Sequence, residues 1–552
     1  VTAVRSSSAS GISVVKVIFN WGTDIYQARQ LITERLQQAQ TKLPEGVETP
    51  QISPTSSPIG TVLQYAFTSE NTSLMEVRRI VDWQVTNRIL AVPGVSQVVA
   101  YGGDIRQYQV LVDPQKLQAF NITLEEVLEA AKASNVNASG GYLITPDREK
   151  LIRGIGRIES IEELQQSAIA ARNGTPVKIS DVADVQIGGA IKRGDGSFNG
   201  QKAVIVMINK QPFADTPTVT RAIEAAMEEV KAGLPKDIKV TPTFRQENYI
   251  DSSIENVREA LFEGSIIVAL ILIPFLMNWR NLAICLTALP LSLLVGVLLL
   301  NWVGQGLNTM TLGGLAVAIG SAVDDAIVDA ENVYRCLREN KYSTHPRPVL
   351  DVVFDGCQEV RDSVFGATII TIVVFSPVFA LTGVEGSIFI PMGLGYMAAV
   401  IASSITALTV TPALCAILLP HGHLPEKEPW VARFFKRLYY PLLKSSMRFS
   451  GVILVVAAAS LVAASVIVPA FGRVFLPEFQ EQTLVNTLML YPGVSLEATN
   501  AAGEALQAAL KDDPRFPYVQ LRSGRAPGDG DAAGVNLAHL DIELSESAMK
   551  ER

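Results

Sequence analysis

Cysteine and histidine are scarce in this 552-residue chain, which has only four of each. Cys285 and Cys415 fall in apolar runs, whereas Cys336 and Cys357 lie in a basic linker. This irregular spacing predicts neither a disulfide framework nor a zinc site. The sequence also lacks a P-loop phosphate motif and any Ser/His/Asp constellation, and its net charge of −8 gives no basic footprint for nucleic acid. These absences disfavour an ATPase, a hydrolase and a nucleic-acid-binding protein, and no cofactor is expected.

Charged residues are missing from long stretches of the second half. Between Arg280 and Asp324 there is no Asp, Glu, Lys or Arg. A membrane-spanning helix needs about 20 apolar residues. Six segments reach or approach this length, although Glu263 and Pro274 interrupt the first; they are 260–279, 282–303, 307–334, 363–384, 388–419 and 449–472. The pattern predicts a polytopic α-helical membrane protein.

Lysine and arginine are confined to alternate linkers between these segments. The basic linkers 335–361 and 420–448, together with Arg280, contain five, six and one of them, whereas 304–308 and 385–387 contain none. Because basic linkers stay on the cytoplasmic side of a membrane, this asymmetry predicts the orientation of every span.

Residues 1–259 are then expected on the far side of the membrane. The chain begins at Val1 without a targeting segment, so an upstream membrane helix or signal is expected, and the chain is interpreted as the N-terminal part of a longer protein.

Strand patterns alternate with amphipathic helices outside the apolar segments. Three stretches have the order strand, helix, strand, and they begin at 12, 202 and 483. The first two helices end in Leu-Pro and lead into a Val-containing strand. This pattern predicts α+β domains built from repeated βαβ units.

Four carboxylates interrupt the third predicted span. The stretch "GSAVDDAIVDAEN" (320–332) contains Asp324, Asp325, Asp329 and Glu331. An aspartate at the bilayer centre costs about 2.5–3.5 kcal/mol, and each Leu or Ile returns only about 0.3–0.6 kcal/mol. The acidic side of this helix must therefore face protein or water.

Helix geometry places Asp324 and Asp325 about 100° apart near the membrane midplane, with Asp329 one turn below Asp325. Desolvation and a nearby cation move the pKa of a carboxylate in opposite directions, so such a pair can load and unload protons. We predict that Asp324 and Asp325 form a proton relay and that Asp329 and Glu331 are possible accessory residues. A structural ion pair or an interhelical hydrogen-bond network is the alternative interpretation.

Four stretches together resemble the resistance-nodulation-division (RND) efflux permeases. "GGLAVAIGSAVDDAIVDAENVYR" (313–335) resembles their fourth transmembrane helix, and "FSPVFALTGVEGSIFIPMG" (375–393) resembles the join between the fifth and sixth. "SSSASGISVVKVIFNWGTDIYQARQLITERL" (6–36) is similar to the first porter subdomain, and "GRVFLPEFQEQTLVNTLMLYPGVSLEAT" (472–499) is similar to the re-entry into the porter domain. The resemblance covers essentially the whole chain in collinear order.

The resemblance implies a domain organisation, with the six spans as helices two to seven of twelve. The implied parts are a partial first porter subdomain at 1–70, a second at 71–259 with a docking insertion near 135–200, the membrane helices at 260–472 with the cytoplasmic linker 420–448, and the start of a third porter subdomain at 473–552. Asp324 and Asp325 would match the paired aspartates of the family's proton relay, whose lysine partner would lie beyond Arg552.

The resemblance also implies partners and a location. A homotrimer in the inner membrane lipid, with its large domains in the periplasm, would dock a periplasmic adaptor (membrane fusion protein) and an outer-membrane channel. The protein would be a secondary active transporter, a proton antiporter, rather than an enzyme.

The branch of the family stays open at this point. "TDIYQARQLITERL" and "FLPEFQEQTL" resemble heavy-metal exporters of copper/silver or cobalt/zinc/cadmium type, whereas the two aspartates of "VDDAIV" resemble the multidrug branch. The expected substrates are metal cations or small amphiphilic compounds, and no metal ligands are assigned. A non-exporting relative, such as a receptor or a translocation accessory, is the alternative.

Overall fold

The computed structural model describes residues 1–44, 46–56, 60–154, 156–172, 174–276, 278–420, 430–467 and 482–550. Contacts divide the chain into two compact units. Unit 1 contains Val1–Phe19, Asp24–Glu247 and Gln480–Arg552. Unit 2 contains Asn20–Thr23 and Asn248–Phe479.

The described strands all belong to unit 1. They are β1 Ala3–Ala9, β2 Ile12–Ile18, β3 Thr61–Ser69, β4 Val95–Tyr101, β5 Arg106–Val112, β6 Ala138–Thr145, β7 Arg148–Gly154, β8 Ala168–Arg172, β9 Thr175–Lys178, β10 Ala183–Gly189, β11 Gly194–Phe198, β12 Gln201–Lys202, β13 Val204–Lys210, β14 Ile238–Arg245, β15 Thr483–Met489, β16 Tyr518–Gly524 and β17 Leu537–Glu543.

The described α-helices are α1 Ile25–Gln40, α2 Leu74–Ile80, α3 Thr86–Leu90, α4 Pro114–Phe120, α5 Leu124–Ala133, α6 Ile161–Gln166, α7 Ile179–Val182, α8 Thr216–Ala232, α9 Gln246–Leu276, α10 Trp279–Trp302, α11 Thr309–Lys341, α12 Val349–Phe375, α13 Gly383–Leu418, α14 Trp430–Arg448, α15 Ser450–Ile467, α16 Leu496–Leu510 and α17 Glu546–Lys550. A π-helical turn, Val81–Val85, joins α2 to α3.

A four-stranded sheet with the order β14-β3-β13-β4 forms the largest core of unit 1. Helix α8 covers it with buried Val219, Ile223 and Met227, which recur at helical spacing. The Asp215 side chain accepts a hydrogen bond from the Thr218 backbone N–H at 3.0 Å and so caps the start of α8. Local capping and an apolar face therefore fix this helix on the sheet.

A five-stranded sheet with the order β12-β11-β16-β17-β15 forms a second layer of unit 1. Helix α16 packs on it closely, since a Cβ added at Gly503 would meet the Leu521 side chain at 2.5 Å. Between the two sheets lies a buried polar cluster, in which the Gln520 side chain donates to Gln64 and accepts from the Thr243 hydroxyl at 2.6 Å. The sheets thus share a specific, hydrogen-bonded interface.

The strand–helix–strand predictions that begin at 202 and 483 are confirmed as β13–α8–β14 and β15–α16–β16. In both, an antiparallel strand, β3 or β17, lies between the two strands of the unit. The unit that begins at 12 also has the predicted order, as β2–α1–β3, but its two strands lie in different sheets. Strand β2 pairs with β1 in a two-stranded ribbon, whereas β3 lies in the four-stranded sheet.

Two strand pairings cross the domain boundaries that the resemblance implied. Strand β3 lies before the boundary at 70 and pairs with strands that follow it. Strand β11 lies in 71–259 and pairs with β16 of 473–552. The implied subdomains therefore exchange strands with one another in unit 1.

Unit 2 is helical in its described residues. Five helical segments there are long and apolar enough to cross a membrane: Trp279–Trp302, Thr309–Lys341, Val349–Ala380, Gly383–Leu418 and Ser450–Ile467. The first predicted span, 260–279, falls mostly in α9, which is not among the five. Helices α10, α11, α12 and α13 pack together, and α13 is the most buried of the five.

Candidate functional site

Helix α11 carries all four candidate carboxylates. The Asn308 side chain caps it by accepting hydrogen bonds from the backbone N–H groups of Met310 and Thr311, at 3.0 and 2.9 Å. The Thr311 hydroxyl in turn accepts from the Asn308 N–H at 2.8 Å, which completes a capping box. The helix then runs for 33 residues and places the carboxylates near its middle.

Close backbone contact holds α11 against α13. A Cβ added at Gly314 would lie 2.1 Å from the Met392 carbonyl oxygen, and one added at Gly395 would lie 2.4 Å from that of Thr311. Small residues at such crossings let membrane helices approach closely. The absence of a side chain at Gly314 and Gly395 therefore allows α13 to lie close to the helix that carries the carboxylates.

The structure separates the four carboxylates by environment. Asp325 is half-buried, and its Oδ2 accepts a hydrogen bond from the Ser403 hydroxyl of α13 at 2.9 Å. Asp329 is 4% exposed, whereas Asp324 and Glu331 are exposed. Asp325 and Asp329 thus face the helical bundle, and the paired aspartates of the sequence do not share one environment.

No cation balances this site in the described part of the chain. Among those residues, no Lys or Arg side chain forms an ion pair with Asp324, Asp325 or Asp329. The described polar partner of Asp325 is a hydroxyl group, and no hydrogen bond to Asp329 is recorded there. The alternative interpretation of these carboxylates as members of a structural ion pair is therefore not supported within the described residues.

Sequence reasoning missed the hydroxyl partners. Ser403 and Ser404 are adjacent in the apolar run of α13; Ser403 reaches Asp325, and Ser404 hydrogen-bonds Thr368 of α12 at 2.6 Å. Adjacent serines in an apolar span were the only available signal, because the sequence does not show which helices are neighbours. The hydroxyl groups link α11, α12 and α13 around the acidic helix.

The AcrB/AcrD/AcrF family model matches residues 1–552. The chain belongs to this family. The predicted resemblance to RND permeases is therefore confirmed.

Its relatives include proteins named for metal efflux. The chain is 32% identical to Protein HelA of Legionella pneumophila, and 31% identical to the cation efflux system protein CusA of Escherichia coli K12. It is 30% identical to the cobalt-zinc-cadmium resistance protein CzcA of Cupriavidus metallidurans. Each match covers 98% of this chain and 52% of the relative, so the chain spans about half the length of these relatives.

Solved structures of a heavy metal efflux pump have the same fold. In two crystal forms they match with TM-scores of 0.86 and 0.82, both at 26% identity. The matches cover 99% of this chain and 52% and 53% of the pump. These matches confirm the predicted RND permease fold.

Proposed function

We propose that the chain is part of a proton-driven efflux permease that exports metal cations. The observation that carries this proposal is the hydrogen bond from Ser403 to Asp325, which links two packed helices at a carboxylate with no described counter-ion. Asp329, one turn along α11, continues the acidic face inside the bundle. A carboxylate without a counter-ion inside a membrane bundle is energetically unfavourable. Such residues are retained where they have a function, and proton transport is one.

Protonation of Asp325 changes what this hydrogen bond can be. An ionised carboxylate only accepts, so the Ser403 hydroxyl donates to it. A protonated carboxyl can donate as well, and the charge that strengthened the bond is gone. The contact between α11 and α13 therefore depends on protonation, and movement of one proton down a potential of 100 mV supplies about 2.3 kcal/mol.

Metal cations are the proposed substrates because the relatives with metal-related names match this chain over nearly its whole length. Within the described residues, no three His, Cys, Asp or Glu side chains lie close enough to hold one metal ion. The cavity that binds substrate is thus proposed to need parts of the protein outside this chain.

The implied assembly is proposed on the same basis. We place the protein in the inner membrane with its large domains in the periplasm, as a homotrimer that docks a periplasmic adaptor and an outer-membrane channel. The porter subdomains, the docking insertion near 135–200 and the linker 420–448 follow the family organisation in this proposal; residues 421–429 of the linker lie outside the described part of the chain.

A growth panel tests the proposal. The full-length parent would be expressed with its adaptor in a pump-deficient Gram-negative host and exposed to copper, silver, zinc, cobalt and cadmium, and to dyes, detergents and antibiotics. The double variant Asp324→Asn/Asp325→Asn removes the charges with little change in shape. Asp512→Asn, at an exposed residue that follows α16, is the matched control.

We expect metal resistance with the parent and with Asp512→Asn, and its loss in the double variant. Unchanged metal resistance in the double variant would contradict proton coupling at this site. Resistance only to organic compounds would contradict metal cations as substrates, and no resistance to any compound would favour a non-exporting protein.

A further inference from the structure

Strand β14 passes directly into helix α9, without a loop between them. Arg245 is the last residue of β14, and Gln246 is the first residue of α9. Helix α9 is 31 residues long; it begins in unit 1 with Gln246 and Glu247 and continues in unit 2. Each residue has two soft backbone dihedral angles, so a junction between a strand and a helix can bend unless side chains fix it.

Arg245 fixes this junction by holding carboxylates from two helices. Its Nη2 donates hydrogen bonds to Glu247 Oε2 at 2.9 Å and to Glu224 Oε2 at 3.2 Å. Its Nε lies 3.0 Å from Glu224 Oε1, so the planar guanidinium group faces both oxygens of that carboxylate. Glu247 lies in the first turn of α9, and Glu224 lies on α8. The three side chains, which we call the Arg245 clamp, therefore tie the start of α9 to α8.

The Arg245 clamp attaches α9 to the four-stranded sheet by two routes. One route is the backbone of β14, which pairs with β3 in that sheet. The other is α8, whose apolar face is buried against the same sheet. The side chains of Glu247 and Arg245 are only 9% and 33% exposed, so water screens their charges less than those of a surface pair.

The far end of α9 packs beside the acidic helix. Leu272 is 7% exposed and belongs to the same buried cluster as Ala330 and Val333 of α11. Ala330 directly follows Asp329 in the chain. The proline of α9, Pro274, lies beyond Leu272, so no proline interrupts the helix between the Arg245 clamp and this cluster. One helix thus connects the surroundings of the acidic site to the sheet of unit 1.

We propose that Arg245 is a positioning residue that makes the four-stranded sheet follow α9 when the acidic site changes its protonation. With the Arg245 clamp intact, a displacement of α9 carries α8 and β14 with it. Without Arg245, the junction bends and the displacement does not reach the sheet. This inference rests on the proposed function, because protonation of Asp325 or Asp329 is taken to displace the helices, and it deepens that function by naming the residue that transmits the displacement.

Amide hydrogen exchange of the full-length protein in detergent tests the proposal without transport. Asp325→Asn gives a neutral side chain like that of the protonated carboxyl group. It would be introduced into three backgrounds: wild type, Arg245→Ala and Arg88→Ala. Arg88 is the matched control, because its Nη2 holds Glu229 of the same helix α8 at 2.7 Å but joins it to α3 instead of α9.

We expect Asp325→Asn to change the exchange rates of residues 246–250 and 219–229 together in the wild-type and Arg88→Ala backgrounds. In the Arg245→Ala background, only 246–250 should respond. A response of 219–229 that persists in Arg245→Ala would overturn the proposal, as would the absence of any response in the wild-type background. Glu247→Gln, which removes the charge on the α9 side of the clamp, serves as the second background and should also weaken the response of 219–229.

Transport kinetics separate this role from a purely structural one. In vesicles with the full-length protein, Arg245→Ala should lower the maximal rate of proton-coupled Cu⁺ uptake by about tenfold or more. The Cu⁺ concentration at half-maximal rate and the thermal unfolding temperature should match those of Arg88→Ala, and Arg245→Lys should recover part of the rate. A lower unfolding temperature with a proportional loss of active protein would overturn the proposal. If the wild-type protein itself moves no Cu⁺, the proposed function fails, whereas the exchange experiment still decides the role of Arg245.

Discussion

The Ser403 hydroxyl donates a hydrogen bond to the Asp325 carboxylate across 2.9 Å and so joins α13 to α11. Hydrogen bonds to charged groups are worth about 1.5–3 kcal/mol. Under the proposed function, we therefore expect Ser403→Ala in the full-length protein to slow proton-coupled metal uptake into vesicles by about tenfold or more. Ser403→Thr keeps a hydroxyl group and should retain most of the rate.

The control for this prediction is Ser465→Ala. The Ser465 hydroxyl of α15 donates to the Leu461 carbonyl oxygen of its own helix at 2.9 Å, so its removal should leave uptake nearly unchanged. Equal effects at Ser403 and Ser465 would show that the link between α11 and α13 is not used in transport.

Adjacent glycines of α11 should respond differently to a methyl group. A Cβ at Gly314 would meet the Met392 carbonyl oxygen at 2.1 Å, whereas one at Gly313 has no atom within 4 Å. Overpacking costs about 1–3 kcal/mol, and backbone cannot rotate away as a side chain does. We expect Gly314→Ala to lower the thermal unfolding temperature in detergent and Gly313→Ala to preserve or raise it. Matching temperatures for the two variants would mean that this helix contact is absent in the protein.

The buried ion pair between Arg522 and Asp541 should be essential to unit 1. The two side chains are 12% and 4% exposed, and Arg522 Nη2 lies 2.9 Å from Asp541 Oδ2. Removing one partner leaves the other charge buried without a counter-ion, which destabilises the fold by about 3–5 kcal/mol. We expect Arg522→Ala to reduce the free energy of unfolding by this order, measured by chemical denaturation.

An exposed pair offers the comparison. Lys239 and Glu70 are 69% and 73% exposed, so water screens their charges and Lys239→Ala should leave the free energy of unfolding nearly unchanged. The double variant Arg522→Met/Asp541→Leu should recover much of the loss, because it removes both buried charges. A loss at Arg522 no greater than at Lys239 would contradict the burial of this pair.

Glu543 should make the stability of unit 1 depend on pH. Burial raises the pKa of its carboxyl from 4.5 to about 7. Between these values the folded state binds more protons than the unfolded state, so stability is greatest below pH 4.5 and falls as pH rises towards 7. Glu543→Gln stays neutral and should lose less stability over this window, measured as thermal unfolding temperatures at pH 5 and pH 7.5. Parallel pH profiles for both proteins would exclude this role for Glu543.

Local patterns were sufficient to predict the elements that place the site. The strand–helix–strand pattern that begins at 483 predicted a helix, and α16 forms there because the Ser495 side chain caps a stretch of apolar periodicity. The acidic helix α11 was expected from its apolar composition, and the order of its carboxylates follows from helical spacing alone. Such features depend on neighbours in sequence.

Features that depend on contacts between distant segments were not predicted. The adjacent serines of α13 did not show that Ser403 reaches Asp325, because this contact depends on α13 packing against α11. That β2 and β3 lie in different sheets was not predicted for the same reason, since their pairing partners come from other parts of the chain.

The pairing of β11 with β16 has a consequence for how the protein is made. Ser197 of β11 and Gln507, which packs beside it, are 310 residues apart, and the membrane helices are synthesised between them. At about 5–20 residues per second, a ribosome needs roughly 15–60 s to supply the second partner. During that interval β11 has an unpaired edge that can aggregate. Biogenesis therefore requires either a chaperone that binds the edge of β11 or membrane insertion that is fast enough to prevent β11 from pairing with other chains before β16 is made.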